Sequence, residues 1–410
     1  MAAPCSACCR RFRGTCRSPT SSATPATQRE GELLRRMQAI IDEPMRRARA
    51  PPFRMALYRL APEEHVFLFM PHHMVWDGWS FDLLYQEMAE LLPATLEGRL
   101  PKLTPLPVDY LDFSLWHARW MQGDECAAQV QWWKKRYAAV EPPRPLPTDR
   151  ARRAGMTGAG AVEWVHVDAA LTERLRELAR AHGATVNMLV LAVYAAMLGE
   201  AVEGRSLVLG VPMRGRLAEQ VEPVMGFFNN LLPLHLRLDS ALPLTAWLGQ
   251  VKGELVQAFA NEDVPFERLA AEPEFVALNQ AAGLYQSLFS FQDARARPRR
   301  WGPLEHSSVL VMQKGATEDF GLWLMEVPGG LEGGINYNAE LFDAATAVLF
   351  RERLLGLLKR VTEAPQRTLE ALLAEPGGGS EAFKAWVERR RTPAAAGTNG
   401  AANPAANLAA

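Results

Sequence analysis

The amino-acid sequence predicts a layered α/β protein, because strand-like and helix-like segments alternate along most of its length. Short runs of apolar and β-branched residues, such as residues 65–70 and 206–212, are typical of buried strands. Longer segments with an apolar face, such as residues 171–182 and 344–363, are typical of helices that pack on a sheet. Segments that alternate in this way usually form a sheet covered by helices. We therefore expect an α/β (α+β layered) fold.

Length and composition indicate a globular protein with room for two domains. The sequence has 410 residues, of which 48% are hydrophobic and 22% are charged. A net charge of −1 gives no electrostatic reason to expect nucleic acid or an acidic membrane as a partner. The most apolar helical run, residues 188–198, is too short for a membrane span and predicts a buried core helix. We expect no nucleic-acid partner, no membrane partner and a cytoplasmic location.

Four of the five cysteines are crowded into the first sixteen residues, whereas Cys126 stands alone. The adjacency of Cys8 and Cys9 fits standard zinc-site spacings poorly, and no further Cys or His cluster follows nearby. A disulfide framework is also disfavoured, because the large remainder of the chain holds a single cysteine. We expect no metal site here and a reducing compartment.

The first half of the chain is expected to form one lobe with an unusual start. Residues 1–28 are rich in Ala, Arg, Ser, Thr, Pro and Cys and predict a disordered or non-native start. Residues 29–160 are expected to form the N-terminal lobe, with a helix near residues 32–41 and a strand hairpin over residues 53–70. The Pro- and Gly-rich stretch at residues 141–160 marks the expected lobe boundary.

Two helical regions are expected between that hairpin and the boundary. The first begins after Ser80, which is a good N-cap residue, and continues to about residue 92. The second covers residues 110–133 and is rich in aromatic side chains, with tryptophans spaced as a packing face.

Residues 161–375 are expected to form the C-terminal lobe, in which strands and helices again alternate. Residues 376–410 are rich in Gly, Ala, Pro and Asn and are expected to be a flexible linker or tail, apart from a short possible helix near residues 382–391. The expected strands cover residues 162–168, 206–212, 231–238, 284–291, 320–327 and 333–338, and the expected helices cover residues 171–182, 185–198, 247–261 and 344–363.

Two adjacent histidines, His72 and His73, follow the second strand of the hairpin and precede an Asp-Gly pair at Asp77 and Gly78. Adjacent residues on a strand point to opposite faces, so both histidines can line one site only if the chain turns between them. Histidine is the side chain best suited to proton transfer near neutral pH. We expect one histidine to be structural and the other to face a cleft.

Three interpretations of the histidine pair remain open from the residues alone. A zinc site could use both histidines and Asp77, but no second histidine pair lies close in sequence. Structural packing is the second interpretation. The third is acid–base work in acyl transfer, where a neutral imidazole accepts a proton or hydrogen bond from an attacking amine or hydroxyl. Asp77 could suit the turn or pair with an arginine, and we favour the arginine pair.

The sequence contains neither a Gly-x-Ser-x-Gly nucleophile motif nor a phosphate-loop motif. Nothing therefore indicates a covalent serine intermediate or nucleotide chemistry. A direct transfer between two bound substrates fits the sequence better.

Six segments resemble the motifs of condensation domains in nonribosomal peptide synthetases, which belong to the chloramphenicol-acetyltransferase-like superfamily. Residues 72–80 resemble the His-His-x-x-x-Asp-Gly motif, and residues 210–216 resemble Gly-x-Pro-x-x-Gly-Arg. All six segments occur in the family order across about residues 30 to 370. The other four segments are residues 110–116, 225–234, 263–269 and 288–292.

This resemblance implies two chloramphenicol-acetyltransferase-like lobes that form a V with a central tunnel. It implies amide (peptide) bond formation between a donor acyl or peptidyl thioester and an acceptor aminoacyl thioester. The implied partners are donor and acceptor peptidyl carrier proteins and an adjacent adenylation domain in a parent synthetase. The resemblance implies no bound cofactor, since phosphopantetheine arms of the carrier proteins present both substrates.

The resemblance also implies roles for individual residues. His73 matches the active-site histidine, and Gly78 matches the residue whose backbone lines the cleft near the reacting carbonyl. His72 is the expected structural companion, and Asp77 is the expected structural aspartate with Arg216 as its arginine partner. No metal is expected. Further tunnel or cleft residues are expected at Trp79, Ser80, Asn230 and Ser290.

One family feature is not found, namely the initial segment with a Ser-x-x-Gln-type motif, so we expect an N-terminally truncated first lobe. Two alternatives to the condensation reaction stay open. One is a free-standing acyltransferase of the same superfamily that uses an acyl-CoA or acyl-carrier donor. The other is a non-catalytic, truncated carrier-docking fragment. The intact His73 and Asp77 favour an enzyme.

Overall fold

The computed structural model describes residues 26–45, 51–138, 140–141, 144–153, 155–282, 284–285, 287–311 and 313–391. Residue contacts divide the chain into two compact units. The first comprises Met1–Trp76 and Val311–Gln313, and the second comprises Asp77–Leu310 and Lys314–Ala410. The prediction for residues 1–28 and its cysteines lies outside the described residues, apart from residues 26–28, which are helical.

In its described residues, the first unit comprises a helix packed on an antiparallel hairpin. In the hairpin Phe53 pairs with Pro71 and Leu57 pairs with Phe67. The helix contributes apolar residues at a spacing of four, which places them on one face. The elements are α1 (Ala26–Asp42), β1 (Phe53–Ala61) and β2 (Glu64–Pro71). The buried residues of this core are Leu33, Met37, Ile41, Ala56, Tyr58 and Leu68.

The second unit is built on a six-stranded mixed sheet. Its strand order is β3-β10-β9-β6-β4-β5, in which β6 runs parallel to both β4 and β9 and the other pairs are antiparallel. A separate two-stranded hairpin, β7 with β8, had not been predicted. The strands are β3 (Gly160–Asp168), β4 (Ser206–Met213), β5 (Asn230–Arg237), β6 (Ser287–Asp293), β7 (Arg300–Trp301), β8 (Leu304–Glu305), β9 (Phe320–Val327) and β10 (Gly330–Asn338).

Helices surround this sheet, and one of them forms the centre of the core. That helix is α6, which is apolar on all sides and is buried along nearly its whole length, as predicted for residues 188–198. The helices are α2 (Gly78–Glu97), α3 (Tyr110–Trp120), α4 (Asp124–Tyr137), α5 (Ala169–Ala181), α6 (Val186–Ala201), α7 (Leu244–Phe259), α8 (Phe266–Ala270), α9 (Pro273–Ala282), α10 (Ala344–Glu363), α11 (Leu369–Ala374) and α12 (Ser380–Arg391).

Across the described residues, no helix by itself combines the length and the apolar character that crossing a membrane requires. Only α5 and α6 taken together meet that requirement, and they are bent by 98° at the break between them.

The two compact units divide between Trp76 and Asp77, and the expected lobe boundary at residues 141–160 stays a prediction. Helix α4 supplies Val130 and Trp133 to the same core cluster as the large sheet, so it belongs with residues that follow the linker. Residues 110–133 form two helices, α3 and α4, separated by a turn at residues 121–123, where the prediction had one.

Two further predictions are corrected. Helix α2 begins at Gly78 with Asp77 as its N-cap, not after Ser80, because the Asp77 carboxylate accepts a hydrogen bond from the Ser80 amide at 2.8 Å. The helix expected near residues 382–391 is present as α12, but it is part of the folded core, whereas the surrounding tail was expected to be a flexible linker. Helix α12 buries Phe383 and Trp386 in the main core, and residues 392–410 lie outside the described part.

Candidate active site

The histidine pair lies where the hairpin of the first unit ends. Strand β2 ends at Pro71, and residues His73–Val75 form a single 3₁₀ turn. His72 caps this turn, since its Nδ1 accepts a hydrogen bond from the Met74 amide at 3.1 Å. The His72 amide donates to the Pro52 carbonyl at 2.8 Å, which ties the turn to the start of the hairpin. The chain therefore turns between the two histidines, and their side chains have different surroundings.

His73 is exposed, and a hydrogen bond at the end of the turn orients its imidazole ring. Its Nδ1 lies 2.7 Å from the carbonyl oxygen of Trp76. Because a carbonyl oxygen can only accept, Nδ1 carries a hydrogen, and in the neutral form of the ring Nε2 then holds the lone pair. The Trp76 ring packs edge-on against Phe69 of β2, with ring centroids 5.2 Å apart. The turn thus presents His73 in the tautomer that a base at Nε2 requires.

Asp77 is the first residue of the second unit and is almost completely buried, with 1% exposure. Its Oδ1 accepts from the Ser80 amide at 2.8 Å and lies 2.7 Å from the Ser80 hydroxyl. Its Oδ2 accepts from the Phe228 amide at 3.1 Å. Both carboxylate oxygens lie 3.3 Å from Nη2 of Arg216. Asp77 therefore joins the start of α2 to the segment around residues 216–228.

Arg216 is the arginine that contacts Asp77. Its side chain is fully buried, its Nη1 donates to the Val221 carbonyl at 3.0 Å, and its guanidinium lies 4.0 Å from the centre of the Phe228 ring. Burial lowers the pKa of Arg216 below its ordinary value, and the charge of Asp77 opposes that shift. The pair is a buried salt bridge, so each charge depends on the other to offset its loss of hydration.

Two glycines allow the surrounding motifs to pack closely around the Asp77–Arg216 salt bridge. Gly215 has a φ of +58°, and a Cβ added there would lie 1.8 Å from the Phe228 carbonyl oxygen. A Cβ at Gly226 would lie 2.3 Å from the ring of Tyr110. The Tyr110 hydroxyl donates to the Phe227 carbonyl at 2.5 Å. Segments from four of the six sequence motifs thus meet in one cluster of the second unit.

Trp79 and Ser80 are held by the same cluster. The Ser80 hydroxyl accepts from the Gly226 amide at 3.0 Å, and Ser80 is fully buried. The Trp79 indole donates to the Glu222 carbonyl at 2.9 Å, and the Arg214 guanidinium lies 3.8 Å from the centre of its ring. The contacts of Ser80 are structural, while Trp79 is half-buried and presents a fixed aromatic surface.

The Asn230 side chain forms hydrogen bonds with backbone groups of the protein. Its Nδ2 donates to the carbonyls of Glu262 and Val264 at 2.6 and 2.7 Å, and its Oδ1 accepts from the amides of Leu231 and Phe266 at 2.9 and 3.0 Å. Those four bonds use its full capacity, so Asn230 fastens residues 262–266 to β5. Ser290, in contrast, is half-buried in the middle of β6 opposite Trp323 of β9.

Gly78 is the first residue of α2, and a side chain from β6 lies against it. A Cβ added at Gly78 would lie 3.1 Å from Nε2 of Gln292 and 3.2 Å from its Cδ. Gln292 was not predicted as a site residue. The available signal was its position two residues after Ser290, because alternate residues of a strand share one face.

Potential metal ligands do not cluster in the described part of the chain. No group of three or more His, Cys, Asp or Glu side chains there is arranged to hold a metal ion. Cys126 is a buried core residue, and burial raises the pKa of its thiol. A thiol in that state is a poor nucleophile.

Comparison with known families decides the relationship. The family model of the condensation domain matches residues 21–376. This chain belongs to the condensation domain family. The family predicted from the sequence motifs is therefore confirmed, and it is the condensation domain family of nonribosomal peptide synthetases.

The curated relatives of this condensation domain are large synthetases. Malpibaldin synthetase of Mortierella alpina is 33% identical over 344 residues, which cover 83% of this chain and 6% of that protein. Phosphinothricin tripeptide synthetase PhsC of Streptomyces viridochromogenes is 32% identical over 351 residues, covering 85% of this chain and 32% of the synthetase. The condensation domain described here thus spans a small part of each relative's length.

Solved structures confirm the mixed α/β fold. The X-domain from teicoplanin biosynthesis is similar with a TM-score of 0.70 and 27% identity, over 83% of this chain and 78% of that one. The first condensation domain of the calcium-dependent antibiotic synthetase is similar in fold, with a TM-score of 0.71 and 23% identity, over 83% and 74% of the two chains.

Proposed function

We propose that this condensation domain forms an amide bond between a donor acyl or peptidyl thioester and an acceptor aminoacyl thioester. The observation that carries the proposal is the orientation of His73, whose Nδ1 is bonded to the Trp76 carbonyl within the His-His-x-x-x-Asp-Gly motif. In that tautomer Nε2 can accept a hydrogen bond or a proton from an attacking amine.

The reaction is a direct transfer between two substrates. The neutral amine of the acceptor attacks the thioester carbonyl of the donor, and the carbonyl oxygen becomes negatively charged. The tetrahedral intermediate then collapses, the C–S bond breaks, and the thiolate leaves. The nitrogen loses one proton and the thiolate takes one up, so no oxidant, metal or nucleotide is consumed.

His73 and Gly78 have distinct roles in this proposal. His73 accepts a hydrogen bond from the acceptor amine at Nε2, which directs the lone pair of the amine towards the carbonyl and allows Nε2 to take up the proton that the nitrogen loses. Gly78 contributes backbone without a side chain where the reacting carbonyl binds. Asp77 and Arg216 are buried in contact with each other and act as structural supports.

The substrates are proposed to arrive on carrier proteins. Peptidyl carrier proteins with phosphopantetheine arms present the donor and the acceptor, so the domain needs no cofactor of its own. An adjacent adenylation domain in a parent synthetase is the proposed source of the activated acceptor. The relatives' names, which describe synthetases, support this arrangement. A cytoplasmic location remains a prediction.

The test is an amide-forming assay with two loaded carrier proteins, read by mass spectrometry of the acceptor. We expect product from the wild type and a loss of at least about a hundredfold in rate in His73→Ala, the usual scale of lost acid–base assistance. His65→Ala is the matched control, because His65 is an exposed histidine of the same unit. Equal rates for the wild type and His73→Ala would overturn the assigned role.

The same assay distinguishes two alternative functions from the proposed one. A free-standing acyltransferase would transfer an acyl group from acyl-CoA with no need for a donor carrier. A docking module would give no product with any variant. A solved structure supports the docking-module candidate, because the X-domain from teicoplanin biosynthesis has been solved in complex with OxyB.

A further inference from the structure

We infer that Gln292 positions the donor substrate by donating a hydrogen bond from its side-chain amide to the thioester carbonyl oxygen beside Gly78. This inference rests on the proposed function and adds a residue to it. The observations that carry it are the contact with Gly78, the face of β6 on which Gln292 lies, and its hydrogen bonding.

The face of β6 is set by strand alternation. Ser287 and Phe289 are buried on the core side, where the Ser287 hydroxyl lies 2.6 Å from that of Tyr194. Ser290 and Gln292 point to the opposite face and are half-buried. Gln292 is therefore a polar residue on the sheet face away from the core, near the end of the strand.

The contact with Gly78 defines the orientation of the side-chain amide of Gln292. The Cβ that Gly78 lacks would be 3.1 Å from Nε2, 3.2 Å from Cδ and 3.3 Å from Oε1 of Gln292. Because the three atoms are nearly equidistant from that point, the amide group lies flat over Gly78. The amide therefore turns its face, and neither its N–H nor its C=O group alone, towards residue 78. Any side chain at residue 78 would press on this amide.

The hydrogen bonding of Gln292 contrasts with that of another half-buried glutamine. Gln129 donates to the Asp263 carboxylate at 2.7 Å and accepts from the Asp263 amide at 3.2 Å. Within the part of the chain that the structure describes, the Gln292 side chain makes no hydrogen bond to protein. A half-buried amide without a protein partner keeps two N–H donors available for a ligand.

The chemistry of the proposed reaction identifies the ligand group. Negative charge develops on the thioester oxygen as the amine attacks, so a fixed N–H donor is worth more in the transition state than in the ground state. Gln292 transfers no proton and forms no covalent bond in this step. Its effect should therefore appear in kcat more than in KM.

The experiment compares three variants of the full chain in the loaded-carrier assay, with melting temperatures measured in parallel. Gln292→Leu removes the donor, and we expect kcat to fall about a hundredfold with little change in KM, the usual effect of losing one oxyanion donor. Gln292→Glu keeps the shape but offers only acceptors, so kcat should fall at least as far. Gln129→Leu is the matched control, which should lower the melting temperature and leave the rate per folded molecule unchanged.

The outcomes separate this inference from the function on which it rests. A wild-type kcat in Gln292→Leu would overturn the role of Gln292 and leave the amide-forming activity standing. Full activity in Gln292→Glu would overturn donation to the carbonyl oxygen. If the wild-type chain yields no product that depends on His73, the proposed function fails and the inference fails with it.

Discussion

The two halves of the His-His-x-x-x-Asp-Gly motif are held in very different ways. In the first unit, the turn that carries His73 is exposed, and its hydrogen bonds include those from the His73 ring to the Trp76 carbonyl and from the Met74 amide to His72. In the second unit, Asp77 is buried and bonded to Ser80, Arg216 and Phe228. The motif thus combines an exposed histidine, for which we propose the chemical role, with a buried aspartate that is bonded to several other residues. Substitutions in the two halves should therefore fail in different ways.

The largest effect on stability is expected from Asp77→Ala. This change leaves the Arg216 guanidinium buried without its counter-charge, which typically costs about 3–5 kcal/mol of unfolding free energy. Asp109→Ala is the matched control, since Asp109 also caps a helix but is exposed, and it should cost about 1 kcal/mol. Denaturant unfolding measures both values. Equal costs for the two variants would contradict the structural role of Asp77.

A half-buried histidine of the second unit, His235, provides a further prediction on stability. Burial is the main cause that lowers the pKa of His235 from 6.5 to about 4. The unfolded chain therefore binds a proton near pH 6.5 that the folded chain binds only near pH 4. Stability should fall as the pH decreases from about 6.5 to about 4, by about 3 kcal/mol, with no further contribution from His235 below that window.

The measurement for this histidine is unfolding free energy against pH in His235→Gln and His166→Gln. His166 is an exposed histidine on β3, at the opposite edge of the same sheet. The loss between pH 6.5 and 4 should shrink in His235→Gln and persist in His166→Gln. A pH profile of His235→Gln that matches the wild type would contradict this prediction.

A smaller effect on stability is expected at Gly226, where the sequence motifs pack around the Asp77–Arg216 salt bridge. Gly226→Ala would place a Cβ 2.3 Å from the Tyr110 ring, and such overpacking costs about 1–3 kcal/mol. Gly249→Ala is the control, because nothing lies within 4 Å of a Cβ on that exposed helical residue. It should raise stability by up to about 1 kcal/mol. Thermal unfolding of the two variants should therefore shift in opposite directions.

The smallest effect is expected from His72→Ala in the exposed half of the motif. The loss of a cap on the His73–Val75 turn should cost about 1 kcal/mol or less. Hydrogen exchange at the Met74 amide should become faster, since that amide loses its acceptor. His72→Asn can restore an acceptor and should slow this exchange again. Unchanged exchange in His72→Ala would contradict the capping role.

Sequence patterns predicted the regular elements well and the connections between them poorly. Strand β9 and helix α10 match the predicted bounds because each carries its own periodic pattern. The break at residues 121–123 was missed because tryptophans on both sides of it were interpreted as one aromatic helical face, although Gly123 lies at the break. The burial of α12 was missed because a Gly-rich stretch precedes it, although Phe383 and Trp386 fill the core.

The candidate site shows the same limit in chemical terms. The sequence motifs identified His73, Asp77 and Arg216 as candidates. They carried no information on the tautomer of His73, which depends on a hydrogen bond to the Trp76 carbonyl. Asn230 and Gln292 contact residues that are distant in sequence. Local sequence periodicity does not predict contacts between distant residues, so these contacts could be identified only in the structure.

The most direct test of this division is the single-turnover rate of amide formation per folded molecule, measured for His73→Ala and Asp77→Asn together. We predict that His73→Ala keeps the wild-type melting temperature and loses at least about a hundredfold in rate. We predict that Asp77→Asn loses stability while its folded fraction keeps a rate within several-fold of the wild type. A folded Asp77→Asn fraction as slow as His73→Ala, or a His73→Ala variant as fast as the wild type, would contradict the account.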